Sequence, residues 1–316
     1  MTTNIEKRIR HERRRKGLLV PLLEDLFAHP VEIENEQDVT FVTGLLNKMM
    51  ARQRTRQEAP LFSPSQLSEC LRYVYLLKNH KDLGISKLSQ TRIEPNFYFF
   101  NGNWLHLKWQ YALHKLDQAL PDEIFKLIGV EVPIVSKRRD HGGTVDAICL
   151  IDEAPVIVDF KGLNVRTFTD ITHGTVPESY LIQIPDYAML HNSQRQNGNR
   201  ISKGLLVAEN KGGPDPKHPI ALHEVVIPIE LHLPDVRSRL KKLRRHDEDG
   251  TIPPPECVST NSLQFQACPF RKFCREEVRE IQRERAKAAS LDAEKLKVAS
   301  PSGSARKRRG TRASRR

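Results

Sequence analysis

The segment GTVDAICLIDEAPVIVDFKG, residues 143–162, puts Asp146, Asp159 and Lys161 into two runs that otherwise read as buried strands. If the chain reverses through a two-residue Asp152–Glu153 loop, residues whose numbers sum to 305 lie opposite one another, and Asp146 faces Asp159. A loop one pairing longer makes them diagonal neighbours on the same face. Lys161 projects from that face too, while Ala147, Cys149, Val158 and Phe160 give the other face a core surface. Two carboxylates held this close repel unless a cation lies between them. A hard divalent ion such as Mg²⁺ suits the position, because it prefers carboxylate oxygens and keeps exchangeable waters. A lysine beside it can orient or deprotonate water and stabilise a pentavalent phosphate. The same spacing is also met by exposed carboxylates that Lys161 merely neutralises.

The five cysteines form a second candidate constellation. The first residues, MTTNIEKRIRHERRRKG, have no apolar stretch after their charges, so a secretory signal and a disulfide framework are not expected. Cys149 falls on the core face of its strand. Cys70, Cys257, Cys268 and Cys274 lie outside the strands, one before them and three after. Four thiolates suit tetrahedral zinc, and four unrelated reduced cysteines are the plainer alternative.

Gly143 and Asp146 followed by Asp159-x-Lys161 resemble the PD-(D/E)XK nuclease pattern. GNWLH with His106, EVPIV with Glu131 and QIPDY with Gln183 and Tyr187 narrow the resemblance to the RecB-type branch, similar to the CRISPR-associated iron–sulfur exonucleases. The resemblance covers about residues 60–280. It implies that His106, Asp146 and Asp159, with the backbone carbonyl of Phe160, bind one or two Mg²⁺ or Mn²⁺ ions. In that reading Lys161 assists the attack, and Gln183 and Tyr187 hold the nucleic acid. It also implies that Cys70, Cys257, Cys268 and Cys274 hold a 4Fe–4S cluster closing the domain, with zinc as the alternative. The ten residues between Cys257 and Cys268 depart from the Cys-x-x-Cys pair usual there. The implied activity is a deoxyribonuclease, more an exonuclease than an endonuclease, acting on single-stranded DNA or DNA ends in recombination, repair or replication. A non-catalytic nucleic-acid-binding scaffold is the other class of function. The motif GxxxxGK followed by Ser or Thr is not found, so a helicase motor would be a separate partner, as would a recombinase or a CRISPR adaptation protein.

These residues need elements to position them. The 316 residues suffice for a full core. Residues 1–55 read as a helical N-terminal extension in which Pro21 and Pro30 break the first stretch. SPSQLSECLRYVYLLKNH reads as one helix capped by Ser63 or Ser65, and residues 101–116 as another. The period then changes to short β-branched runs at 124–135, 143–151, 154–162, 201–210 and 220–229, with a helix at 177–192 between the third and fourth. A further helix is expected after Pro234. This order predicts an α/β fold, a restriction-endonuclease-like core with a central mixed sheet flanked by helices over residues 56–282. Residues 283–316 read as a helix fading into a disordered basic tail.

The formal charge is +12, concentrated at the ends: the last eleven residues carry seven cations and no acid, and residues 7–16 carry seven against one. Such clusters suit a polyanion, most simply DNA, although a solvated tail has the same composition. No apolar run approaches the ~20 residues a membrane span requires, and a cytoplasmic location is expected.

Overall fold

The computed structural model describes residues 17–54, 62–88, 93–194 and 200–299. The basic stretch at residues 7–16 and the basic tail lie outside the described residues.

The hairpin forms as its spacing predicts. Strands β2 (Gly142–Ile151) and β3 (Ala154–Leu163) pair antiparallel from Ile151↔Ala154 to Ala147↔Val158, every pair summing to 305. Asp152 and Glu153 supply the turn with φ of +49° and +63°, the two left-handed residues that a type I′ hairpin needs. With β1 (Phe125–Val135), β4 (Lys203–Asn210) and β5 (Leu222–Pro228) they build one five-stranded sheet in the order β1-β2-β3-β4-β5. The sheet is mixed: β3 and β4 run parallel and the other pairs antiparallel.

Helices cover both faces. On one face α1 (Val20–Leu26), α2 (Glu36–Arg54) and α5 (Ile93–Ala119) enclose a core with Ala147, Cys149, Val158 and Phe160. On the other, α6 (Val165–Thr172), α7 (Glu178–Gln194) and the start of α8 (Ile229–Glu248) pack on Val145, Ile148, Ile157 and Leu206. The short α3 (Pro64–Leu67) and α4 (Leu71–Asn79) join α7 and α8 in a third cluster. Finally α9 (Leu263–Ala267) and α10 (Arg271–Ala299) carry the last cysteines. Among the described residues, no helix is long and apolar enough to cross a membrane.

Several expectations change for local reasons. The 63–80 segment is two helices, because Arg239 of α8 takes the carbonyls of Leu67 (2.8 Å) and Glu69 (2.5 Å) that a continuing helix would use. Cys70 becomes the extended residue that starts α4. Pro21 does not break α1 but lies in its first turn, where its missing N–H has no helical partner to lose. The carboxylate of Glu224 in β5 accepts the N–H groups of Leu18, Leu19 and Val20 at 2.7, 2.7 and 3.0 Å, tying the N-terminal helices to the sheet. Helix α8 starts at Ile229 rather than after Pro234, since the Ile229 N–H bonds Ser202 O (3.0 Å) and buried Ile229 and Leu233 anchor the first turns. Helix α6 was not expected from its Val/Thr-rich composition. Asn164 nucleates it, accepting the Thr167 N–H at 2.9 Å.

Close approach of α7 to the sheet depends on Gly204. A Cβ there would lie 2.1 Å from Ile184 Cγ2. Gly204→Ala is therefore expected to lower stability by about 1–3 kcal/mol, read as a drop in Tm by calorimetry.

Candidate functional site

The strand ladder between β2 and β3 ends at Ala147↔Val158, so Asp146 and Asp159 stand at the first unpaired position. Asp146 replaces the missing backbone bond: its Oδ2 accepts the Phe160 N–H at 2.9 Å. Phe160 thus meets the site through its N–H, while its ring lies in the core. Both carboxylates are buried, 7% and 2% exposed, deep enough that their charges must be matched locally.

Helix α5 supplies one match. It runs close against β3 because Gly162 offers no side chain, and a Cβ there would lie 2.6 Å from Leu105 Cδ1. The neighbouring His106 reaches Asp146, Nδ1 to Oδ1 at 3.2 Å. One turn on, Gln110 Nε2 donates to Glu131 Oε1 (2.8 Å) and to the Asp146 carbonyl (2.9 Å). Glu131 lies across from Asp146 in β1, between the pairs Val130↔Ala147 and Val132↔Val145, with φ at +52°. A left-handed glutamate in a strand is strained by about 1–3 kcal/mol and persists only when its surroundings impose it. The result is a group of His106, Glu131 and Asp146 whose ligand atoms all lie within 4.8 Å of one another. One imidazole and two carboxylates are a donor set for a divalent cation.

Asp159 is not in that group. It pairs instead with Lys161 Nζ at 2.8 Å and accepts from Gln183 Nε2 at 3.2 Å. Gln183 also approaches the Tyr187 hydroxyl at 3.5 Å, and the Lys161 ammonium lies 5.8 Å from the Tyr180 ring centre. All the residues singled out around the hairpin therefore converge: His106 from α5, Asp146 from β2, Asp159, Phe160 and Lys161 from β3, Gln183 and Tyr187 from α7.

The charges divide between the carboxylates. Burial pushes Asp146 up, but His106, Lys161 and the Phe160 N–H outweigh it and hold this carboxyl below its usual range. Burial and the charge of Asp146 push Asp159 up despite Lys161. Burial disfavours charge on His106 and Lys161, yet the carboxylates beside them raise both. Tyr187 is also raised, by burial and then by the two aspartates.

The sequence reading did not place Glu131 among the ligands, nor Gln110 in the site. The one available signal for Glu131 was a lone acid inside the apolar run IGVEVPIV. Gln110 had none, being one polar residue on a mixed helix.

The remaining cysteines meet at the N-terminal end of α4. Cys70, Cys257, Cys268 and Cys274 all line one cavity of about 620 Å³, with Arg72, Tyr73, Phe265 and Phe270. None of the four forms a disulfide. Burial, then the charges of Cys70, Cys268 and Cys274, push the Cys257 thiol up to about 12. Arg72 sits beside them, its Nη1 3.9 Å from Cys274 Sγ, anchored to Pro253 O and Glu277. No three of these sulfurs lie within 4.8 Å of one another. Cys149, as expected, is wholly buried in the core, and burial raises its thiol far above the usual range.

No protein-family model and no curated protein matches the chain. Among solved structures it is similar to SSO0001, at 18% identity and TM-score 0.39 over 81% of this chain and 93% of that one. It is also similar to an alkaline exonuclease, LHK-Exo, from Laribacter hongkongensis, at 14% identity and TM-score 0.34 over 59% of this chain and 89% of that one. At such scores neither likeness decides a function.

The geometry predicts that Glu131→Gln weakens divalent-cation binding much as Asp146→Asn does. Titration of Mn²⁺ by calorimetry should show roughly a tenfold or greater loss in each, whereas Glu123→Gln on the exposed turn before β1 should bind as the parent does.

Proposed function

We propose that the chain is a metal-dependent nuclease that hydrolyses DNA phosphodiester bonds, acting as an exonuclease on single strands or DNA ends. The observation that carries this reading is the adjacency of two arrangements: the His106–Glu131–Asp146 group and, beside it, a buried Asp159–Lys161 pair at 2.8 Å. When bound by these residues and Asp159, Mg²⁺ or Mn²⁺ supplies Lewis acidity to the scissile phosphate.

The chain's own groups do the rest. Gln110 fixes Glu131 and the Asp146 backbone, so the ligand set is held before substrate arrives. Lys161, paired with Asp159 at 2.8 Å, orients the attacking water or stabilises charge developing on the phosphate oxygens. Gln183 holds Asp159 in place, and Tyr187 walls the site beside Gly143. The catalytic unit is the segment 56–282, with the basic segments at either end of the chain adding sequence-independent phosphate affinity.

The four cysteines, gathered around one cavity, are assigned to a 4Fe–4S cluster, with a single tetrahedral zinc ion as the alternative.

With Mg²⁺ or Mn²⁺ the purified protein is expected to shorten single-stranded DNA. Asp159→Ala and Lys161→Ala should each reduce the rate by on the order of 10²–10³. Cleavage unchanged in both variants would leave a binding scaffold as the reading. The protein is expected to be brown, with visible absorption that bleaches on reduction. A colourless, zinc-loaded protein would overturn the cluster.

A further inference from the structure

Away from the metal group, a cleft of about 660 Å³ lies between the turn joining β1 to β2, helix α7 and helix α8. Arg138, Arg237, Lys241, Arg244 and Arg245 line it, and Glu248 is the one carboxylate among its lining residues. These cations are not equally committed. Arg244 grips Asp140 through two bonds, at 2.8 and 3.0 Å. Arg138 reaches Glu248 at 3.4 Å and Arg245 reaches Asp249 at 3.5 Å, in solvent-exposed pairs of the kind that contribute little. Arg237 and Lys241 are exposed and have no carboxylate partner among the described residues.

Arg237, Lys241 and Arg245 follow one another at four-residue intervals along α8. That interval repeats on one helix face every ~6 Å, close to the separation of successive phosphates in an extended strand. A single phosphorylated small molecule would not use a row of this length; a phosphodiester backbone would.

His141 at the floor of the cleft is an independent sign. The ring is wholly enclosed, and its Nε2 bonds Asp186 Oδ2 at 2.7 Å. Its Nδ1 has no hydrogen-bond partner among the described residues. A buried ring nitrogen left unpaired is costly, and this one lies where the basic row borders the cleft.

We infer that this cleft is a track for the phosphodiester backbone of a nucleic-acid strand, with Arg237, Lys241 and Arg245 each neutralising one phosphate and His141 bounding the inner end. The inference rests on the nuclease reading in that the strand is its substrate. It places the strand along the flank of α7, the helix whose Gln183 and Tyr187 face the metal group.

The test is strand binding by the full chain, read without turnover. Fluorescence anisotropy with a labelled oligothymidylate, longer than the ~4–16 nucleotides a single-strand groove covers, is followed against salt in EDTA. The triple variant Arg237→Gln, Lys241→Gln, Arg245→Gln is expected to bind at least tenfold more weakly at low salt. Its slope of log affinity against log salt should be shallower by about 2, since each single-strand phosphate contact contributes ~0.7. A control that removes three cations elsewhere, Arg283→Gln, Arg285→Gln, Lys287→Gln on α10, should change the slope less. Equal changes in the two triples, or no change in the cleft triple, would overturn the cleft. Because EDTA removes cleavage from the measurement, the two readings fail separately. A protein that binds through the cleft but never cleaves would overturn only the nuclease.

Discussion

Two aspartates buried side by side, where a hairpin ladder gives out, are the constraint on which this structure turns. Each would be costly alone, and together they repel, so every neighbouring element is organised around compensating them. Asp146 takes the Phe160 N–H and His106; Asp159 takes Lys161 and Gln183. The compensation divides the pair into a low and a raised carboxyl, and Glu131 joins on the Asp146 side. A strained glutamate, with a histidine and a glutamine from the helix on one sheet face, gathers at Asp146, while a glutamine from the helix on the other face meets Asp159.

The surrounding fold joins parts far apart in the chain around these residues. Glu224 of β5 caps the first helix some two hundred residues away, so the N-terminal helices complete the core over β2 and β3 instead of standing apart. Arg239 interrupts the α3–α4 segment and delivers Cys70 to the cavity holding the three late cysteines. Arg72 clasps the segment carrying Cys257 and the helix carrying Cys274. Two glycines, Gly162 and Gly204, let α5 and α7 approach the sheet from opposite faces. Both helices carry site residues, so the closeness of packing and the precision of the site are one property.

Legibility in the sequence followed the range of the interaction. The hairpin register and the division of its faces were readable because they depend on a two-residue turn and a period of two. The strands, the mixed sheet and the helix carrying Gln183 and Tyr187 were readable from composition and periodicity. Helix ends were less so: the break before Cys70 depends on Arg239, and the start of α8 on Ser202 and on burial of Ile229.

By itself, the sequence determined that Asp146, Asp159 and Lys161 share one face of a hairpin, since local geometry admits little else. Only the tertiary structure decided that Glu131 joins His106 and Asp146. It does so through a left-handed backbone and a bond from Gln110, while Asp159 pairs with Lys161 beside them. It also decided that cations along α8 and a histidine before β2 border one cleft. Those outcomes depend on helices crossing a sheet, and the distance between such partners is set by packing, which no spacing along the chain encodes.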